Sequence, residues 1–151
     1  MKIQTIKAMM DACYQAKRIR EMLPALPTGV TPSYIHFLDV VEIMEKQGIS
    51  VKISDISDYV HIPRPGVTRT VREMEEKGYL RKRVAAEDGR VTYISITEKG
   101  RALSKKYNDD VFDSLADPLD VISEEDAENM IHTIETFYQV MCERRDHFEK
   151  F

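Results

Sequence analysis

The sequence predicts a mainly α-helical fold carrying one small β-hairpin, and three observations predict it. Apolar residues recur at helical spacing through both ends of the chain. Two short amphipathic segments in the middle are separated by the turn His61-Ile62-Pro63. Two alternating stretches, Tyr79–Val84 and Val91–Ile96, flank a segment that contains Asp88-Gly89-Arg90. A length of 151 residues suits one domain, or one core with an attached lobe.

The first helix is expected from Lys2 to about Leu23, with Ile3, Ile6, Met10 and Cys13 in one stripe that Met9 and Ala16 widen. Three prolines and a glycine in 24–32 then break it. Thr31-Pro32 restarts a helix, threonine as a cap and proline at the first helical position. Tyr34, Phe37, Leu38, Val41 and Met44 line its face, and Gly48 is placed to end it. A short helix around Ile53–Val60 follows, then one from about Arg64 to Lys77 that buries Val67, Val71 and Met74 and stops at Gly78. After the two strands, Thr97 caps a helix reaching about Leu115, with Leu103, Tyr107, Val111 and Leu115 in register. The stretch 116–123 breaks again. Ser123 with Asp126 opens the last helix in the manner of a capping box, and Met130, Ile131, Ile134, Phe137, Tyr138, Met141 and Phe148 lie along it.

No apolar run approaches a membrane span, and the amino-terminal stretch lacks a signal-peptide pattern, so a cytoplasmic protein without a membrane partner is expected. Cys13 and Cys142 are too few and too far apart for a disulfide framework or a zinc motif. His36, His61, His132 and His147 form no metal-ligand spacing, so neither metal nor cofactor is expected. Nothing resembles a nucleophile with its base, a phosphate-cradling loop or a dinucleotide fingerprint, which argues against an enzyme. The net charge of −4 hides an asymmetry: Ile49–Arg101 carries 11 Lys and Arg against 8 Asp and Glu, a net +3 that leaves −7 to the flanks. A local basic surface is what phosphates respond to.

Helix, turn, helix and hairpin in this order make a winged helix, an arrangement suited to duplex DNA. Its second helix fits the major groove with its first turns toward base edges. Those positions hold Arg64, Pro65, Gly66, Thr68, Arg69 and Arg72. Arginine can grip guanine with two hydrogen bonds, threonine can bond or touch a thymine methyl, and Gly66 and Pro65 add little bulk. Arg90 at a slim wing tip suits the narrow minor groove, with Asp88 orienting it through a charge-assisted pair. Lys82 and Arg83 on the first wing strand are placed for the flanking phosphates. Glu73, Glu75 and Glu76 lie late in the helix, facing solvent or paired with Arg72 and Lys77.

The segment from Ile53 to Gly100 resembles the DNA-binding part of MarR-type regulators. The matching features are Val67-Thr68-Arg69, the run from Glu75 to Arg83, the Asp88-x-Arg90 wing and the closing Ile96–Gly100. Two positions depart from the family pattern: Pro63 and Lys52 stand where capping residues are usual. The resemblance implies a homodimer on a near-palindromic operator, released in many members by a small phenolic or amphipathic ligand or by cysteine oxidation. It divides the chain into a winged-helix lobe, 31–100, and a helical dimerisation region, 1–30 with 101–151. Ile6, Met10, Cys13, Ile131, Ile134, Phe137, Tyr138 and Met141 are the expected dimer residues. Tyr34, Phe37 and Leu38 are candidate lining for a small-molecule effector site, against the plainer expectation that they are core. Cys13 is expected to be half-buried and inert, with a redox-responsive role as the alternative. A winged helix serving only as a protein-interaction module is the competing class; it does not need the basic outer helix or Arg90.

Overall fold

A computed structural model describes residues 1–85 and 88–148, without the side chain of Asp146. The elements run α1 (Ile3–Glu21), α2 (Pro32–Lys46), α3 (Ile53–Val60), α4 (Arg64–Glu76), β1 (Leu80–Val84), β2 (Thr92–Ile96), α5 (Glu98–Ser104), a π-helical stretch (Lys105–Asp110), α6 (Val111–Leu119) and α7 (Glu124–Phe148). Contacts divide the chain into two units, Met1–Val111 and Phe112–Phe151.

In the first unit α2 is the central element. It buries Tyr34, Ile35, Phe37, Leu38, Val40, Val41 and Met44, so it is apolar nearly all round. Around it close Val51, Ile56, Val67, Val71, Met74, Leu80, Ile94 and Ile96. Both α2 and α4 end in the same way. After α2, Gly48 takes φ 77° while its N–H reaches Glu45 and that of Ile49 reaches Met44. After α4, Gly78 takes φ 75° while its N–H reaches Glu75 and that of Tyr79 reaches Met74. These paired bonds satisfy the last carbonyls and need a left-handed residue, which glycine supplies without strain.

The amino ends are capped less fully. Thr31 and Pro63 occupy the cap positions of α2 and α4 without a side-chain cap bond. At α3 a lysine side chain cannot accept, so only the reciprocal half of a capping box forms, with the Lys52 N–H donating to Asp55 Oδ2 at 2.8 Å. The turn between α3 and α4 passes through His61 at φ 54° and is pinned by the Ser57 hydroxyl donating to the Ile62 carbonyl at 2.7 Å.

β1 and β2 pair antiparallel, with Arg81 opposite Ser95, Lys82 opposite Ile94 and Arg83 opposite Tyr93. The Ile94 N–H also donates to the Val51 carbonyl at 2.7 Å, which anchors the hairpin to the segment before α3. Ala86 and Glu87 of the wing turn lie outside the described residues, as do residues 149–151.

The single helix expected from Thr97 to Leu115 is instead α5, a π-helical stretch and the start of α6. The spacing explains the difference. Leu103, Tyr107, Val111 and Leu115 are four residues apart, and each such step overshoots a turn of 3.6 residues by about 40°. A π stretch takes up the excess. The expected break comes late, because α6 continues to Leu119 with Pro118 in its last turn.

In the second unit the Ser123 hydroxyl accepts from the Asp126 N–H at 3.1 Å and donates to the Asp126 carboxylate at 2.8 Å. α1 and α7 leave their apolar faces open. Ile6 is 42%, Met10 49%, Ile131 57%, Ile134 44% and Tyr138 58% exposed in the single chain. Cys13 and Cys142 are exposed free thiols, so the expected half-burial of Cys13 is not seen. The reason is general to its helix, since α1 contains no buried residue.

Candidate nucleic-acid interface

The α4 stripe of Val67, Val71 and Met74, each fully buried, fixes the rotation of the helix. The opposite face must then point outward. Arg64, Pro65, Thr68, Arg69 and Arg72 line a shallow groove of about 540 Å³ there. The structure therefore brings together five of the six positions expected on this helix. Gly66 is the exception. A Cβ there would meet the Ile62 side chain at 3.2 Å, so this glycine faces the α3–α4 turn. Its carbonyl accepts from the Thr70 hydroxyl at 3.1 Å.

The carboxylates on the same helix are ordered around these cations. Arg69 Nε lies 3.8 Å from Glu73 Oε1, and Arg72 Nε lies 3.8 Å from Glu76 Oε1. Both arginines remain well exposed, and pairs of this kind contribute about 0–1 kcal/mol. Lys82, expected to face phosphate, instead sits 2.8 Å from Glu75 Oε2 and is the less exposed partner of that pair. The register explains this: Lys82 shares its strand face with Leu80, whose side chain is buried in the core. Arg81 and Arg83 point to the other face. Arg81 donates to Ser95 Oγ at 3.2 Å, and a groove of about 540 Å³ between the wing and the end of α2 is lined by Arg81, Lys82 and Arg83 together with Tyr93, Ile94 and Ser95. Arg81 is thus a further basic residue of the wing, and its alternation with Lys82 in the sequence is the signal that marks it.

At the wing tip Asp88 and Arg90 are both exposed. Asp88 Oδ1 accepts from the Arg90 backbone N–H at 2.9 Å. No ion pair joins its carboxylate to the Arg90 guanidinium among the described residues, so the expected orienting pair is replaced by a bond that shapes the turn. A carboxylate bonding the N–H two residues on is the local geometry a short acidic side chain reaches most easily.

Tyr34, Phe37 and Leu38 are 2%, 1% and 0% exposed, packed in the core and lining neither of these grooves. The Tyr34 hydroxyl is nonetheless connected to α4, donating to Glu73 Oε2 at 2.9 Å. Burial, with Glu73 adding to it, holds this phenol above its ordinary range. Asp39, on the same helix, is also raised, by desolvation first and then by Glu42 and Asp109, while His36 and Lys46 oppose the shift. Among the expected dimer residues, Tyr138 is raised by its hydrogen bond with Cys142, one turn further along α7. No group of residues suited to hold a metal ion occurs among those described, and no described helix is long and apolar enough to cross a membrane.

Residues 28–91 match the model of the MarR family. YdgJ of Bacillus subtilis (strain 168), an uncharacterised HTH-type transcriptional regulator, is 30% identical over 74 residues, which are 49% of this chain and 43% of YdgJ. The match thus spans less than half the length of that curated relative. Among solved structures, FabT of Streptococcus pneumoniae in complex with DNA superposes with a TM-score of 0.66 at 20% identity, over 94% of this chain and 99% of that one. The S. aureus MepR–DNA complex gives 0.61 at 20% identity, over 93% and 99%. A MarR/EmrR family regulator from Acinetobacter sp. ADP1 gives 0.68 at 19% identity, over 95% and 99%. At these identities the shared property is the fold, a mainly helical chain with a winged-helix hairpin.

Proposed function

We propose that the chain, whose residues 28–91 match the MarR family model, is a sequence-specific, DNA-binding transcriptional regulator of that family, a repressor that acts as a homodimer on a near-palindromic operator. The observation that carries this reading is the outer face of α4, where Arg64, Thr68, Arg69 and Arg72 gather over one groove while the inner face is locked into the core. Arginine there can read guanine, and the first turns of such a helix are what a winged helix presents to base edges. Arg90 extends the contact to a flanking minor groove, where negative potential is focused. Two such helices in a symmetric pair reach successive major grooves about one helical turn apart.

The open apolar faces of α1 and α7 support the homodimer. Ile6, Met10, Cys13, Ile131, Ile134, Phe137, Tyr138 and Met141 are its proposed contact residues. The segments 1–30 and 101–151 are the proposed dimerisation region, and 31–100 is the proposed DNA-binding lobe. Release by a small phenolic or amphipathic ligand completes the reading. A ligand reaching Tyr34, Phe37 and Leu38 has to open the α2 core, and so acts by favouring a different arrangement of the lobes.

The deciding experiment is a titration of the intact protein with duplexes from the promoter region beside its own gene, at several salt concentrations. Binding through six to ten phosphates weakens about a thousandfold or more between about 50 and 200 mM salt. Absence of any salt-dependent duplex binding overturns the reading in favour of a protein-docking winged helix. A second reading, redox control, draws on the exposure of the Cys13 thiol. Peroxide treatment that leaves duplex affinity unchanged rules it out.

A further inference from the structure

Two arginines of the candidate interface, and the wing lysine Lys82 beside the end of α4, carry a carboxylate partner within the same lobe. Arg69 has Glu73, Arg72 has Glu76 and Lys82 has Glu75. All three acids come from the last turn of α4, so the helix that presents the groove-facing arginines also supplies their counter-ions. Glu73 is the least free of the three. One of its oxygens accepts from the buried Tyr34 hydroxyl, which keeps the other within reach of Arg69.

We propose that Glu73, Glu75 and Glu76 act as an internal substitute for phosphate, holding Arg69, Lys82 and Arg72 until a stronger partner displaces them, and so suppress binding to random duplex. The inference rests on the DNA-binding reading above and adds specificity-determining residues to it. An exposed ion pair and a single phosphate contact are of similar strength. Random duplex therefore gains little by displacing the glutamates, and the cations stay on them. A bidentate arginine–guanine contact is stronger than either. It displaces the glutamate, and only a cognate sequence offers it in register. The acids thus widen the difference between cognate and random DNA, at some loss of absolute affinity.

The test compares the intact wild-type protein with E73Q/E75Q/E76Q, using fluorescence anisotropy on a random-sequence duplex across a salt series. Glutamine keeps an acceptor for the Tyr34 hydroxyl, and a thermal melt confirms that the variant is folded. The expected result is random-duplex binding about tenfold or more tighter at low salt, with the slope of log K against log salt steeper by about 2–3, the value for two or three newly engaged phosphates. A charge-matched control, E124Q/E125Q/E128Q at the start of α7, is expected to keep the wild-type slope. Coincident slopes for the triple variant and wild type, or a control that reproduces the steepening, overturn the inference and leave the DNA reading standing. Failure of all three proteins to bind any duplex overturns both.

Discussion

The hydroxyl of Tyr34 donates to the carboxylate of Glu73 at 2.9 Å, joining the central core helix to the outward-facing helix that carries Arg69. The phenol ring is 2% exposed while the Glu73 side chain is 42% exposed, so the bond runs from the core to the surface. The Lys77 ammonium lies 5.1 Å from the centre of the same ring and donates to the Gly29 carbonyl, tying the loop before α2 to the end of α4. Tyr34→Phe removes the hydroxyl and leaves the packing, and is expected to cost about 1 kcal/mol in a urea titration at neutral pH. Because burial and Glu73 raise the phenol pKa in the folded chain, the contribution of Tyr34 is fully present below the ordinary phenol value of about 10. It is lost as pH rises through the higher folded value. The stability gap between wild type and Tyr34→Phe should therefore close in the alkaline range. A gap that is constant to the alkaline limit shows that ionisation of this residue is not coupled to folding.

Asp39 gives a prediction of opposite usefulness. Desolvation raises its pKa in the folded chain, and Glu42 and Asp109 add to the shift. The folded state thus prefers the protonated acid, and that preference is a stabilisation present in acid and lost as pH rises through the folded value. At neutral pH the charged carboxylate is a burden. Asp39→Asn should raise the melting temperature at pH 7, and the gain should vanish below about pH 4, where the acid is neutral in both states. A melting temperature lowered at pH 7 shows that the carboxylate instead has a partner that stabilises its charge.

The junction between wing and α5 depends on Gly100. The Thr97 N–H donates to the Tyr79 carbonyl at 3.1 Å, and the Thr97 hydroxyl donates to the Gly78 carbonyl at 2.7 Å while accepting from the Gly100 N–H at 3.1 Å. This draws the first turn of α5 onto the chain leaving α4. A Cβ at Gly100 would collide with the Tyr79 carbonyl oxygen and stand 2.8 Å from the Ile96 side chain. Backbone cannot yield as a flexible side-chain end can. Gly100→Ala should therefore destabilise by roughly 1–3 kcal/mol, the range for overpacking, despite the better helix propensity of alanine. An equal or higher midpoint in urea would show that this junction is loosely packed.

The elements most legible in the sequence were those whose pattern is local. Gly48 and Gly78 marked helix ends because a left-handed terminus favours glycine, and Val67, Val71 and Met74 fixed the buried face of α4 by spacing alone. With that face known, the outward positions of Arg64, Thr68, Arg69 and Arg72 followed. Gly66 was misplaced because a residue without a side chain carries no periodic signal. Charge alone points Lys82 at phosphate, whereas alternation with Leu80 puts it on the core side of the strand, toward Glu75. The bond from Tyr34 to Glu73 spans 39 positions, and no local pattern reports such a contact. The π stretch lay between these cases. The four-residue spacing of Leu103, Tyr107 and Val111 was on view, but it was read as ordinary helical register.

The wing tip separates shape from binding. Asp88 accepts from the Arg90 N–H, whereas the Arg90 guanidinium has no ion-pair partner among the described residues. The two side chains should then respond differently to truncation. Arg90→Ala removes an exposed cation that has no ion-pair partner among the described residues, so the melting temperature should stay within the small range of surface substitutions, about 0.5 kcal/mol. Duplex affinity should fall markedly, and the salt slope should drop by about one unit if the arginine meets a phosphate in the groove. Asp88→Ala keeps that cation but loses the bond that holds the turn, so stability should fall by about 0.5–1.5 kcal/mol. Its duplex affinity should fall less than that of Arg90→Ala, with the salt slope unchanged, because the cost is that of ordering the tip rather than of a lost charge. Asp88→Asn, which retains an acceptor, should restore most of the stability. If Asp88→Ala and Arg90→Ala instead reduce affinity and slope alike, the carboxylate does orient the guanidinium when DNA is bound, and the arrangement at the tip changes on binding.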